Sequence, residues 1–350
     1  MDVSAIPEDD LRKKVAALYG FNNNIKIKII KYSENITYLI EDDEKKAKYV
    51  LRLCRPEYHD KEELESEMLW INTIKETTDL YIADSYPGIN GDRVQQVTLL
   101  LGNEYEIEFY CCLFLFLKGE NLRNLRGEEL NKSIEKIGQI TATLHNQVLK
   151  WEPALSKKLK RFTWNFEDFF SQSARWGVWR DFPNLTDEER NLYDKAEKLI
   201  KKRLIEYGKE NDRYGLIHTD LNLNNVIVDG SKVQIFDFDD CGYGWFLYDM
   251  STTLLEYEDN LEEMLESWLK GYESIRSLSQ EDYKQIMTFI VLRKIVRVAW
   301  IGSHWENDTV KKVSPTYYEH TDNLIKAYLT DGCQDDYKKC FKILANIEKD

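Results

Sequence analysis

Apolar residues recur along this chain at two different periods, and the change of period divides it. After Pro7, the positions Leu11, Val15, Leu18 and Tyr19 fall at helical spacing and Gly20 closes the run, which predicts a first helix. Residues 25–30 then alternate apolar side chains with lysine. Residues 36–40 and 49–53 are two further strand-like runs, separated by the charged turn 41–48. Leu64, Met68, Ile71 and Ile74 return to spacings of three and four and predict a helix over 59–75. Residues 94–101 and 104–117 read as a hairpin around Gly102-Asn103. From Lys118 onward helical periodicity dominates, over 130–149, 165–173, 187–207, 261–272, 280–301 and 315–329, with one strand-rich interruption over 215–238. The prediction is an α+β chain. A small sheet lobe with one main helix spans 1–117 and a larger, mainly helical lobe spans 118–350.

Composition narrows the partners. The 350 residues carry 48 basic and 62 acidic side chains, a formal charge of −14; the average field repels phosphate, so neither nucleic acid nor an anionic membrane surface is an expected partner. The six cysteines form no Cys-x-x-Cys pair and read as reduced, buried thiols. The first ten residues are acidic and lack an apolar core, and the longest apolar run, 109–117, is about half of a membrane span. A cytoplasmic protein is expected.

The candidate chemistry lies in Leu216-Ile-His218-Thr-Asp220-Leu-Asn-Leu-Asn-Asn225 and, after a turn at Asp229-Gly230, in Ile235-Phe-Asp237-Phe-Asp239-Asp240. The spacing is His-x-Asp-x-x-x-x-Asn, an apolar strand, a tight turn, a second apolar strand and an aspartate at its end. A hairpin of this kind returns Asp237 towards Asn225, giving two oxygen ligands for a Mg²⁺ ion that takes its remaining ligands from phosphate and water. Asp220 is then placed to orient an acceptor hydroxyl and accept its proton, the layout of phosphoryl transfer in protein kinases. His218 is expected to be buried and bonded to the loop backbone rather than to shuttle protons.

These two segments resemble the signature of the aminoglycoside phosphotransferase and choline kinase superfamily. Three further segments extend the likeness. Ser33-Glu-Asn35-Ile-Thr-Tyr38 resembles the nucleotide loop of the homoserine-kinase-type and bacterial stress-kinase branches. Tyr49-Val-Leu-Arg52-Leu, with Glu65-Ser-Glu67, resembles the phosphate-binding strand and its helix. Phe246-Leu-Tyr-Asp249-Met resembles the element that closes the metal-loop region. The resemblance implies a two-lobed kinase-like fold, ATP and Mg²⁺ as cofactors, and a small hydroxyl-bearing acceptor. It implies nucleotide contacts from Ser33, Asn35, Arg52 and Glu67, and adenine contacts from the backbone around Leu115 and Leu117. Asn225 and Asp237 would hold the metal and Asp220 would be catalytic.

Two departures stand out. The nucleotide loop, Tyr32 to Thr37, has no glycine, and Arg52 stands where most kinases carry lysine. Arginine brings a bidentate fork in place of a point charge; Lys48, on the same strand face, is an alternative phosphate cation. Between Lys232 and Lys270 lie ten acidic residues and no basic one, which leans the expected acceptor towards a cation such as an aminoglycoside or amino alcohol, although a solvated helix face explains the later six as well. The aromatic cluster Phe162, Trp164, Phe166, Phe169, Phe170, Trp176 and Trp179 is expected to be packing. No Ala-Pro-Glu follows Asp237, so a peptide-docking activation segment is not expected. A stress-type Ser/Thr protein kinase and a catalytically silent nucleotide-binding scaffold are the alternative readings. His304, Arg293 and Arg297 carry no motif and receive no role.

Overall fold

Three acidic residues follow Pro7 in the first helical turn, where they favour the dipole, and Gly20 ends the helix in a left-handed conformation (φ 65°). This first element belongs to a computed structural model that describes residues 6–32, 35–101, 105–151, 159–306 and 308–348. Ser33 and the expected hairpin tip at Gly102-Asn103 lie outside the described residues. In chain order the elements are α1 (Glu8–Tyr19), β1 (Lys26–Tyr32), β2 (Ile36–Asp42), β3 (Ala47–Leu53), α2 (Lys61–Thr77), β4 (Tyr81–Ile82), β5 (Ser85–Tyr86), β6 (Val94–Leu101) and β7 (Tyr105–Leu115). They continue with β8 (Glu120–Asn121), α3 (Gly127–Lys150), β9 (Phe162–Thr163), α4 (Phe166–Phe170), α5 (Asp187–Tyr207), β10 (Tyr214–Ile217), β11 (Val226–Asp229), β12 (Lys232–Ile235) and β13 (Gly242–Trp245). Then come α6 (Phe246–Thr253), α7 (Leu261–Glu273), α8 (Gln280–Ser303), α9 (Asp308–Leu329) and α10 (Tyr337–Ile347).

The chain forms two units. One comprises the residues up to Glu120 with 159–161 and Ile227–Asp239; the other comprises Asn121–Trp151, Phe162–Val226 and 240–348. In the first, an antiparallel sheet runs β1-β2-β3-β7-β5, with β6 also paired to β7. Its inner face buries Ile27, Tyr38, Ile40, Leu51, Leu53, Leu99 and Phe109 against Leu11 and Val15 of α1. Helix α2 opens with a reciprocal capping box between Asp60 and Glu63 and buries Leu64, Met68, Ile71 and Ile74. Glu67, fully buried on the same helix, is a charge that demands a partner. The β11–β12 hairpin joins this unit because β12 pairs in parallel with β4, Ile235 opposite Ile82.

In the second unit α3 and α7 pack so closely that Gly138 and Gly271 are required: a Cβ on Gly138 would run into the Trp268 carbonyl, and one on Gly271 into that of Glu135. The aromatic cluster is packing, as its composition predicted. Trp164 and Phe169 stack with centroids 5.8 Å apart, Trp164 meets Trp176 at 4.5 Å, and Phe170 and Trp179 are buried. The expected helix from Pro315 begins earlier, since α9 runs through the proline from Asp308. Among the described residues no helix is long and apolar enough to cross a membrane.

Candidate active site

In the first unit the charged centre is Arg52, placed one residue from the end of β3 opposite Cys112 of β7. Its guanidinium forks onto Glu67, with N–H···O distances of 3.0 and 2.6 Å. It also lies 3.3 Å from Asp239 and 3.9 Å from Asp237. Burial works against the Arg52 charge, but the Glu67 and Asp239 carboxylates outweigh it and hold the guanidinium protonated. Asp239 is itself buried, a cost offset by Arg52, His59, Asn35 and Arg161, which together keep its carboxyl below the usual range. The Asn35 amide donates to Asp239 at 2.8 Å, while its oxygen accepts from the Arg55 N–H at 2.8 Å. That side chain is therefore a brace between the β2 entry and the aspartate. Arg161 donates to the Asp239 carbonyl, and Phe238 is anchored edge-on against Trp70. Asp237, at φ 66°, keeps its carboxylate about a third exposed, at 33%.

Lys48 lies at the strand edge, paired with Glu41 at 2.5 Å and half exposed; Arg52 is the buried cation of this strand. The Leu115 N–H donates to the Asp84 carbonyl at 2.9 Å, so Leu115 can offer a nucleotide only its carbonyl. Leu117 lies two residues beyond the end of β7.

In the second unit the centre is the loop between β10 and β11. Asn222 and Asn225 donate to the two Asp220 carboxylate oxygens at 2.8 and 2.9 Å, and Asn225 also donates to the Asp220 carbonyl at 2.9 Å. Because both Asn225 bonds use its NH₂, the amide oxygen is the atom left for a cation. The loop is fixed from beneath by Asp249, which accepts the backbone N–H groups of His218 (3.1 Å) and Thr219 (2.7 Å) and faces His145 at 3.3 Å. Thr219 is held at φ 68°, a strained conformation for a β-branched residue that costs about 1–3 kcal/mol. Its hydroxyl bond to the Asp240 carbonyl at 2.7 Å locks it there. His218 is fully buried and its Nδ1 lies 3.4 Å from the Asp220 N–H, the backbone role expected of it.

Sequence reasoning missed Arg293. It reaches Asp220 from the middle of α8, N···O 3.3 Å, flanked by the rings of Trp176 at 4.5 Å and Tyr248 at 6.0 Å. The only signal was three cations, Arg293, Lys294 and Arg297, inside the mainly apolar stretch 286–301 of that helix. Among the described residues no group of three or more His, Cys, Asp and Glu could hold a metal ion; Asn225 of the second unit and Asp237 of the first each carry a side-chain oxygen of the kind Mg²⁺ takes.

The profile of the phosphotransferase enzyme family matches residues 28–286. This chain belongs to that family. A solved structure of a microcompartment-associated aminopropanol kinase is 32% identical, covers 91% of this chain and 97% of its own, and superposes with a TM-score of 0.80. The amicoumacin kinase of Bacillus subtilis is 22% identical over 320 residues, 87% of either chain. A solved amicoumacin kinase bound to AMP-PNP and Ca²⁺ is 18% identical and covers 91% of this chain and 94% of its own, with a TM-score of 0.73. The fold is the two-lobed kinase-like one, and the chain is a phosphotransferase whose acceptor is an alcohol group, in a family of small-molecule kinases.

Proposed function

We propose that this member of the family transfers the γ-phosphoryl group of ATP to the hydroxyl of a small amine-bearing acceptor, with Mg²⁺ as cofactor. The carrying observation is the Asp220 carboxylate, gripped by two asparagine amides and faced by Arg293. A carboxylate so fixed can orient a hydroxyl and accept its proton without reorganising. In this reading the N-terminal lobe, 1–117, binds the nucleotide, and the C-terminal lobe, 118–350, supplies the acceptor site and Asp220. Arg52, held by Glu67, faces phosphate oxygens; Asn35, at the entry to β2, contacts the nucleotide beside them, and Ser33 is assigned the same role on the motif alone. The backbone around Leu115 and Leu117 serves adenine. Asn225 Oδ1 and the Asp237 carboxylate hold Mg²⁺, which when bound neutralises phosphate charge. Asp220 takes the hydroxyl proton as the phosphoryl group arrives. The amino alcohol in the name of the 32%-identical relative supports an amine-bearing acceptor. A panel of hydroxylated amines and antibiotics, assayed for stimulated ADP release, tests the reading. Stimulation by one of them that vanishes in Asp220→Asn is the expected result; ADP release indifferent to every acceptor would sink it.

A further inference from the structure

In the second unit a cavity of about 820 Å³ is lined by Arg123, Glu256, Glu258, Asp259, Arg297, Trp300, Tyr317, Glu319, His320 and Glu348, among others. Its acidic content suggests a cation site, but the pairing says otherwise. Glu258 is held by the buried Lys294 at 2.5 Å, and Glu256 lies 3.6 Å from Arg123. The exception is a cation. Arg297 has no carboxylate within 4 Å among the described residues; it rests on the Trp300 ring at 4.3 Å. Burial disfavours its charge and Arg293 adds to this, while Tyr317, Glu256 and Asp220 oppose it. The Tyr317 hydroxyl is also buried without a hydrogen-bond partner. His320 presents the opposite polarity. Burial and Lys294 disfavour its charged form, against Glu258 and Glu348; Glu348, 3.1 Å from Nδ1, favours the proton there, so in the neutral ring the buried, unpartnered Nε2 offers a lone pair. Asp259 and Glu319 are exposed acids of the same lining.

We propose that this cavity is the acceptor pocket, and that Arg297 with Tyr317 forms a carboxylate subsite while His320, Asp259 and Glu319 receive an ammonium group. The acceptor is then a small hydroxylated amino acid. The inference rests on the reading that Asp220 receives the acceptor hydroxyl. Arg293, which touches Asp220, and Arg297 lie one turn apart on α8, about 6 Å along its axis, the reach of such a molecule.

The test is calorimetric and needs no turnover. Threonine, homoserine and serine are titrated into the full chain, each beside its decarboxylated counterpart: 1-amino-2-propanol, 3-amino-1-propanol and 2-aminoethanol. At least one amino acid is expected to bind about tenfold or more tightly than its counterpart, the worth of a charge-assisted pair. That ratio should collapse towards one in R297Q, survive in part in R297K, and drop several-fold in Y317F, which removes a single oxygen. A preference for every decarboxylated member, or a ratio that persists in both R297Q and Y317F, overturns the proposal. Binding that follows the ratio without provoking ADP release leaves the subsite standing and removes the catalytic reading of Asp220.

Discussion

Arg52 in the first unit and Asp220 in the second are each charged and each held in one orientation, but by different means. Arg52 is almost fully buried and is fixed by full opposite charges, forked onto Glu67 and flanked by Asp239. Asp220 is a quarter exposed, at 25%, and is fixed by neutral amides, with one arginine at the long end of hydrogen bonding. Its backbone is set from beneath by the Asp249 carboxylate and by the left-handed conformation of Thr219. The contrast matches the roles proposed for the two groups. A residue that must only present positive charge can be locked by salt bridges, whereas one that must gain a proton keeps lone pairs and solvent access that a buried ion pair would consume.

Variants should separate the two strategies. The largest effect is expected from Asp220→Asn, which keeps the shape and removes the base; turnover should fall by about two to four orders of magnitude with an unchanged melting temperature. Comparable turnover, measured by ADP release, would take Asp220 out of the chemistry. Next, Glu67→Ala leaves the buried Arg52 with only the more distant Asp239 and Asp237 and should destabilise the fold by about 3 kcal/mol. Asn222→Ala, on the amide-held side, should cost only about 0.5–1.5 kcal/mol. Urea midpoints that coincide for the two variants would erase the distinction drawn above. A smaller effect concerns metal: Asp237→Ala should weaken Mg-ATP binding more than Asn225→Ala, because it removes a charge as well as a ligand, and calorimetry reads the order directly.

The smallest effect is a pH dependence. Burial pushes His59 down to about 3, with Arg161 and Arg52 acting in the same direction and Asp239 against it. An imidazole of ordinary pKa, about 6.5 unfolded, therefore binds more protons in the unfolded chain across that interval. Stability from this group is full above about pH 6.5 and declines on acidification towards 3. His59→Gln should flatten the urea midpoint between pH 7 and 4.5; an unaltered slope would assign the loss elsewhere.

Periodicity and punctuation carried much of the fold. Strand 94–101 and helix 187–207 end where their patterns end, because capping residues and alternating burial are local. Pro315 misled, since proline usually opens a helix, yet here α9 runs through it from Asp308. Helix α10 went unread although Cys340, Phe341 and Leu344 fall on one face. At the site, the Asp220–Asn225 pair was visible because five residues of loop bring them together. Arg293 was not, since it arrives from a helix 73 residues later and only tertiary packing decides which of three neighbouring cations turns towards the loop. Asp239 stood in the motif, but its pairing with Arg52 is a fact of the folded strand order.

The glycine crossing of α3 and α7 acts as a gauge for a loop it never touches. Gly271 precedes Tyr272, whose hydroxyl meets His145 at 2.9 Å; His145 faces Asp249, and Asp249 holds the Thr219 N–H one residue before Asp220. The height of the Asp220 loop is thus calibrated by two missing methyl groups. Widening that crossing by one carbon would shift Tyr272, and with it the hydrogen bonds that hold the Asp220 loop.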